Sequence, residues 1–350
     1  MSPRSLRFYS YWLRLYSGDS DLYRGVADRW TDGANFHART LDADESRVIE
    51  AGIPDGADQL EVLWDDGQRR LFSLDWLWRA ALEPDPVKRV QRVAWDAMTR
   101  FESFDYRRLV EDDDVLLGFL ESFLAYGLAF VEGAPRRSRA IVDLANRIGT
   151  LEPSHLGETF EVILRARPDH IGETQDAIPL HIDLVYKQTP PRIQMLHALH
   201  QVAEGGENVF VDALRVLAEL DGTDALHLRT TPVWFVADSE VVHFRGLHPI
   251  LAYDADGKLT GVHYNEYKIV FPADASPEVY RAFRRFQRLI SRSDLQQPVR
   301  LAEDGIVVLD NRRILHGRRV FTGRERHLIG CFVFDDDLRS RYRTLVARRG

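Results

Sequence analysis

Two side chains two residues apart, His181 and Asp183, together with a distant histidine, His316, are of the types that hold a metal ion. In an extended strand, alternate residues project to one face, so His181-Ile182-Asp183 would offer one imidazole and one carboxylate to a single ion. His316, in Asp310-Asn311-Arg312-Arg313-Ile314-Leu315-His316-Gly317, would complete the set. Two histidines and a carboxylate on one face of an octahedral ion leave the opposite positions open, the arrangement of non-haem Fe(II) centres that use oxygen. Arg326 begins the otherwise apolar run Arg326-His327-Leu328-Ile329-Gly330-Cys331-Phe332. An arginine turned inward from such a strand presents a fixed fork to a carboxylate. Each residue also has an ordinary reading: a His-x-Asp triplet recurs by chance, His316 could bond to backbone, and Arg326 could be a surface cation.

The elements that must position these residues are short. Leu60, Val62 and Trp64 alternate with polar neighbours, turn at Asp65-Asp66-Gly67 and resume at Leu71 and Leu74, which predicts a hairpin followed by a short helix. Pro84-Asp85-Pro86 breaks that pattern, and a boundary near residue 90 divides a small N-terminal α/β domain, 1–90, from a larger one, 91–350. An apolar run from Val115 to Phe130 predicts a helix, as does Pro277 to Ser291 with Val279, Phe283, Phe286 and Leu289 on one face. Between and after them lie strand-like runs: Leu180–Val185, Arg192–His200, Asn208–Asp212, Val233–Val236, Ile306–Leu309 and Leu328–Phe334. Many short strands with widely separated ligands predict an α+β, mainly β fold: a double-stranded β-helix (jelly roll) with flanking helices.

Composition narrows the partners. The chain has 350 residues, 45% hydrophobic and 29% charged, as in ordinary globular protein. A formal net charge of −8 without long basic runs argues against nucleic acid, and no apolar run reaches the roughly 18 residues of a membrane span. Cys331 is the only cysteine, so there is no intrachain disulfide and no cysteine-based zinc site, and a reducing cytoplasm is expected. The N-terminal residues contain Arg4, Arg7 and Arg14 where a signal peptide needs an apolar core.

Taken together and in order, several motifs resemble the Fe(II)- and 2-oxoglutarate-dependent dioxygenases of the taurine-dioxygenase-like superfamily, in the γ-butyrobetaine and trimethyllysine hydroxylase branch. They are Phe72-Ser73-Leu74-Asp75-Trp76-Leu77, His181-Ile182-Asp183, Gln194-Met195-Leu196-His197, Gly205-Gly206-Glu207, the run Asp310 to Arg318, and Arg326-His327-Leu328. The resemblance implies Fe(II) on His181, Asp183 and His316, with 2-oxoglutarate and O2 as cosubstrates. Arg326 would grip the far carboxylate of 2-oxoglutarate, Leu196 would line its carbon chain, and Asn208 would stand where relatives carry Ser or Thr. The implied reaction hydroxylates, or desaturates, an unactivated C–H of a small molecule and releases succinate and CO2. Asp183 speaks against halogenation, for which related enzymes lack the carboxylate. A homodimer is also implied.

The substrate half departs from the carnitine enzymes. Phe160 and Phe332 match positions of the aromatic cage that binds quaternary ammonium, but Leu156 and Glu173 stand where relatives have tyrosines. At the relatives' substrate-carboxylate positions stand His170 and, after Tyr264-Asn265, Glu266. Glu173 and Glu266 therefore suggest an amine-bearing polar metabolite, with a quaternary-ammonium substrate of the γ-butyrobetaine or trimethyllysine type as the alternative. The relatives' N-terminal zinc ligands are missing, so the small domain is expected to fold without zinc. A metal-binding jelly roll without turnover, or a zinc hydrolase on the same triad, would not need Arg326.

Overall fold

In the small N-terminal unit the alternation of Leu60, Val62 and Trp64 produces a sheet with one apolar face. The structure, a computed structural model, describes residues 7–15, 47–81, 85–168, 171–201, 204–239, 242–323 and 326–349. Its chain divides into two compact units, Met1–Arg89 and Val90–Gly350. In the first, β1 (Val48–Gly52), β2 (Gln59–Trp64) and β3 (Arg69–Ser73) pair antiparallel, with Leu60 opposite Phe72. Val62, Trp64 and Phe72 bury their side chains with Leu13 and with Leu77 of the helix Leu74–Ala81.

The second unit builds its core from two main sheets, with three minor ones beside them. In chain order its strands are β4 (Ser103–Asp105), β5 (Leu128–Glu132), β6 (Thr159–Ile163), β7 (Ile178–His181), β8 (Ile193–Gln201), β9 (Glu204–Gly205) and β10 (Asn208–Asp212). After the hairpin of β11 (Pro232–Asp238) and β12 (His243–Pro249) come β13 (Leu251–Tyr253), β14 (Leu259–Val262), β15 (Ile269–Val270) and β16 (Gln297–Val299). The chain ends with β17 (Ile306–Asp310), β18 (Ile314–Arg318), β19 (Phe321–Thr322), β20 (Arg326–Val333) and the helix Asp335–Arg349. The larger sheet has the order β4-β5-β17-β8-β20-β6 and the smaller β16-β10-β18-β7. Apart from β4 on β5, their ladders are antiparallel.

Period-two alternation decides which residues enter the space between these sheets. Leu196 and Ala198 of β8, Phe210 of β10, Val307 and Leu309 of β17, Ile314 of β18 and Leu328 of β20 form one buried cluster drawn from both sheets. The intervening Val209, Val211 and Leu315 belong instead to a cluster behind the smaller sheet, against Phe283, Phe286 and Ile290 of the helix Pro277–Ile290. By the same alternation, His316 and Arg318 follow Ile314 inward, Asn208 accompanies Phe210, and Arg326, Gly330 and Phe332 accompany Leu328.

Two expected elements end early. The apolar run Val115–Phe130 is not one helix: the helix Asp113–Tyr126 stops at Gly127, with φ 69°, and Leu128–Glu132 continues as β5. A buried helix and a buried strand share an unbroken apolar pattern, so periodicity alone could not divide them. Gly127 is required on two grounds, since a Cβ there would stand 3.0 Å from Cδ of Arg313 in a left-handed backbone. The strand expected over Leu180–Val185 also stops at His181, and the chain turns, with Leu184 at φ 53°.

Arg313 is fully buried opposite Asp212. Its Nε and Nη2 donate to the two Asp212 oxygens at 2.9 and 2.8 Å, and Nη1 and Nη2 donate to the carbonyls of Ala125 and Val93. Asp212 also accepts from the backbone N–H groups of Trp95 and Leu214. Removing one partner of such a pair strands a buried charge, at about 3–5 kcal/mol. Arg313→Met should lower the unfolding free energy by that order in denaturant titrations, and Asp212→Leu/Arg313→Met should be less destabilised than the single variant.

His248 and His263 stack with centroids 4.3 Å apart, and burial, then the charge of His248, pushes His263 down to about 3. The folded state thus keeps this ring neutral, whereas an unfolded histidine takes up a proton near pH 6.5. The unfolded chain binds more protons below that point, so stability should be lost as pH falls from about 6.5 towards 3. Replacing His263 by Gln should flatten the fall in thermal midpoint over that window.

Candidate metal centre

His181 closes β7 and lies directly across the ladder from His316 of β18, so the two imidazoles are cross-strand neighbours with centroids 4.5 Å apart. Asp183 reaches them from the turn rather than from an extended strand. The rule that alternate strand residues share a face therefore named a pair that does converge, but by a route the chain does not take. Asp183 Oδ1 lies 3.2 Å from His181 Nε2, and its Oδ2 lies 3.9 Å from His316 Nε2. One donor atom from each residue falls within 4.8 Å of the others, the one such group among the described residues.

Hydrogen bonding shows what this cluster lacks. A carbonyl only accepts, so the 2.9 Å contact of His181 Nδ1 with the Pro179 oxygen makes Nδ1 the donor. The neutral ring then aims a lone pair from Nε2 at a carboxylate oxygen, and two acceptors at 3.2 Å need a cation between them. A proton can serve: although burial opposes it, the hydrogen bond and charge of Asp183 hold the His181 pKa above its ordinary value. A divalent ion serves better, because it also engages His316, which burial and the His181 charge push down to about 4 and so keep neutral. Burial opposes ionisation of Asp183, yet His181 and His316 hold it at about 2. Gln194 Nε2 donates to Asp183 Oδ2 at 2.5 Å. The set fits an octahedral divalent ion with a face left open.

On the inward face of β20 lies a cation for which no counter-ion is found among the described residues. Arg326 is 5% exposed, its Nε has no partner, and no ion pair to it is found among the described residues. Burial, then the charge of Arg318, pushes its pKa down to about 9. The Phe321 ring lies beneath both guanidiniums, 4.9 Å from Arg318 and 5.7 Å from Arg326. Arg318 donates from Nη1 and Nη2 to the carbonyls of Gly172, Thr174 and Asp176, although its Nε, like that of Arg326, has no partner. Among the described residues no such carbonyl is found for Arg326, which makes it the better placed of the two to take an anion. Burying a guanidinium unpaired is costly, so a carboxylate entering here gains what the fold has left unmatched. Leu196 and Asn208, both buried, face the same interior.

The expected substrate residues are not all brought together. Phe160 of β6 and Phe332 of β20 stack at 5.3 Å. They have room to do so because Gly330 has no Cβ: one there would fall 2.4 Å from Phe160 Cζ. Asn265 bridges His181, but its Oδ1 accepts from the N–H of Tyr267. Glu173 is buried and engaged by Arg165 at 2.8 Å, so its charge is already answered. Glu266 is exposed and meets Gln287 of the outer helix at 3.4 Å, in a groove shared with Tyr264 and Ser291. Each of the two carboxylates expected to hold an amine thus already has a protein partner. His170 lies outside the described residues.

Sequence reasoning missed an aromatic group next to Asp183. Tyr186 stacks on Phe244 of β12 at 5.4 Å, with His155 4.9 Å from Phe244. Burial, then the Asp183 charge, pushes the Tyr186 hydroxyl up to about 12. Tyr186 was within reach, three residues after the carboxylate, whereas no local signal brings Phe244 across from a distant hairpin. Cys331, on the opposite face of β20 from Gly330, is fully buried and pushed up to about 12 by that burial.

The family model for the taurine catabolism dioxygenase TauD, TfdA family matches residues 91–332. The chain belongs to this family. A γ-butyrobetaine dioxygenase of Pseudomonas sp. (strain AK-1) is 30% identical over 86% of this chain and 82% of its own. The mitochondrial trimethyllysine dioxygenase of Bos taurus is 28% identical over 97% and 83%. Among solved structures, the non-heme iron oxygenase OrfP, in complex with Fe, succinate and a dihydroxy-arginine, superposes with a TM-score of 0.54 at 15% identity, over 66% of this chain and 84% of that one. An asparagine oxygenase in complex with Fe(II), 3-hydroxyasparagine and succinate gives 0.53 at 16%, over 65% and 79%. These likenesses confirm the jelly-roll fold. The TauD/TfdA-family chain is an Fe(II)- and 2-oxoglutarate-dependent dioxygenase, as the motifs implied. No described helix is long and apolar enough to cross a membrane.

If Arg326 is held in reserve for a carboxylate, Arg326→Met should leave the ligand-free protein as stable as the parent or more so, by on the order of 1 kcal/mol. The rise in thermal midpoint that 2-oxoglutarate causes should disappear in the same variant. A variant that is destabilised yet still protected by 2-oxoglutarate would contradict this account.

Proposed function

We propose that this dioxygenase hydroxylates, or desaturates, a C–H of a small cationic metabolite, using Fe(II) held by His181, Asp183 and His316. The observation that carries the reading is Arg326, buried on the inward face of β20 with no counter-ion among the described residues, which suits the far carboxylate of 2-oxoglutarate. Bound there, iron with 2-oxoglutarate and O2 supplies the oxidising power for C–H oxidation, with succinate and CO2 released. The chain's own side chains do the rest. Pro179 orients His181 through its carbonyl, Gln194 directs one Asp183 oxygen, and the apolar lining of Leu196 and Phe210 keeps water from the cosubstrate's carbon chain.

A cationic substrate is supported by the relatives' names, γ-butyrobetaine and trimethyllysine dioxygenase, and by two aromatic pairs, Phe160–Phe332 and Tyr186–Phe244. With Glu173 paired and Glu266 facing the outer helix, the aromatic surfaces favour a quaternary ammonium over a primary amine. The lone, buried Cys331 suits a reducing cytoplasm. The carnitine-type resemblance supports a homodimer, to be read from the mass in solution.

The test is succinate release from 2-oxoglutarate with Fe(II), across a panel of small amines and quaternary-ammonium metabolites. At least one quaternary ammonium should stimulate turnover several-fold, and His316→Ala should abolish both stimulated and substrate-independent release. Turnover that survives in His316→Ala would remove the iron assignment, whereas a flat panel with intact basal release would remove only the substrate class.

A further inference from the structure

Asn311 is fully buried, and its side chain engages both ends of the segment that runs from Asp183 to Pro191. Its Oδ1 accepts from the backbone N–H of Asp183 at 2.8 Å, while its Nδ2 donates to the Asp183 carbonyl at 3.1 Å and to the Pro191 carbonyl at 2.9 Å. One carboxamide thus satisfies both backbone groups of Asp183, the service a neighbouring strand would give had β7 continued. Since β7 stops at His181, nothing else on its ladder performs it. The next residue, Leu184, sits at φ 53°, a conformation that a branched L side chain adopts only when its surroundings impose it.

The opposite end of the same segment is equally constrained. Asn311 N–H donates to the Arg192 carbonyl at 2.6 Å, and five residues later the strand that follows its turn delivers His316. Asn311 therefore connects the backbone of one ligand-bearing turn to the strand carrying another ligand. From this geometry we infer that Asn311 is a positioning residue for the metal centre: it holds the strained Asp183-Leu184 turn so that the carboxylate meets His181 and His316. The inference rests on the reading of Asp183 as an iron ligand. Gln194, which touches the carboxylate itself, sets its rotation, whereas Asn311 sets where its backbone stands. Neither residue is one of the three that would hold the ion, and such outer partners typically change metal affinity about 10–100-fold when removed.

The experiment measures Mn(II) affinity of the full-length, metal-free protein by titration calorimetry, with thermal midpoints recorded beside it. Asn311→Asp keeps the shape and the acceptor but loses both donations, and it should weaken Mn(II) binding about 10–100-fold. Adding Leu184→Gly to that variant removes the backbone strain along with a buried side chain. If Asn311 positions the turn, the double variant should regain most of the lost affinity while its thermal midpoint falls further. A structural role alone predicts the opposite: folded Asn311→Asp binding Mn(II) as the parent does, or a double variant with no regain, and either result overturns the inference. If Asn311→Asp does not fold, Asn311→Ser carries the same comparison without a buried charge. Asp183→Ala is the control for the underlying reading, since parental affinity in that variant would show that Asp183 is no ligand.

Discussion

The buried pair of Arg313 and Asp212 is the constraint on which the remainder of this fold depends. Asp212 ends β10 and Arg313 precedes β18, so their double hydrogen bond locks the pairing of these strands at one end. The remaining donors of Arg313 fasten the carbonyls of Val93 and Ala125, bringing the entry segment and the end of a helix onto the same guanidinium. Its neighbours in the turn behave alike. Asp310 pairs with Arg192, Asn311 braces Asp183, and Arg312 donates to the Pro190 carbonyl. A run that looks like a string of surface polar residues is thus the junction where both sheets and two of the three ligand segments meet. Polar side chains can do this because the loops they tie offer backbone groups with no ladder to join.

The chemistry was more legible than the route by which it is assembled. The residue types of His181, Asp183 and His316, which the fold does bring together, were visible in order, and an arginine opening an apolar strand is indeed buried. Alternation, however, assumed an extended chain at Asp183 where there is a turn, and the left-handed residue there is Leu184, not the glycine that usually marks such a conformation. The helix expected to reach Phe130 failed for a different reason: Gly127, placed mid-run, is demanded by Arg313 far along the chain. Gln194 and Asn311 stood inside recognised motifs, yet their roles depend on distances that no spacing encodes.

The substrate half was hardest to read because its charges are claimed locally. Glu173 looks available in the sequence, but Arg165 lies across the short segment from β6 and takes it. The aromatic surfaces depend on long-range packing instead, Phe160 on the missing side chain of Gly330 and Tyr186 on a hairpin more than fifty residues away. The placing of these aromatic surfaces is therefore set by sheet geometry more than by the identity of any single residue.

Cys331 gives this arrangement a chemical consequence of its own. Oxidation of a cysteine proceeds through the thiolate, and a buried thiol pushed up to about 12 is almost wholly protonated at neutral pH. The single sulfhydryl of an oxygen-using protein lies one residue from Gly330 and from Phe332, on the strand that also carries Arg326, but on the face turned away from the interior. The strand thus puts its own thickness between the interior that Arg326 faces and the one thiol of the chain.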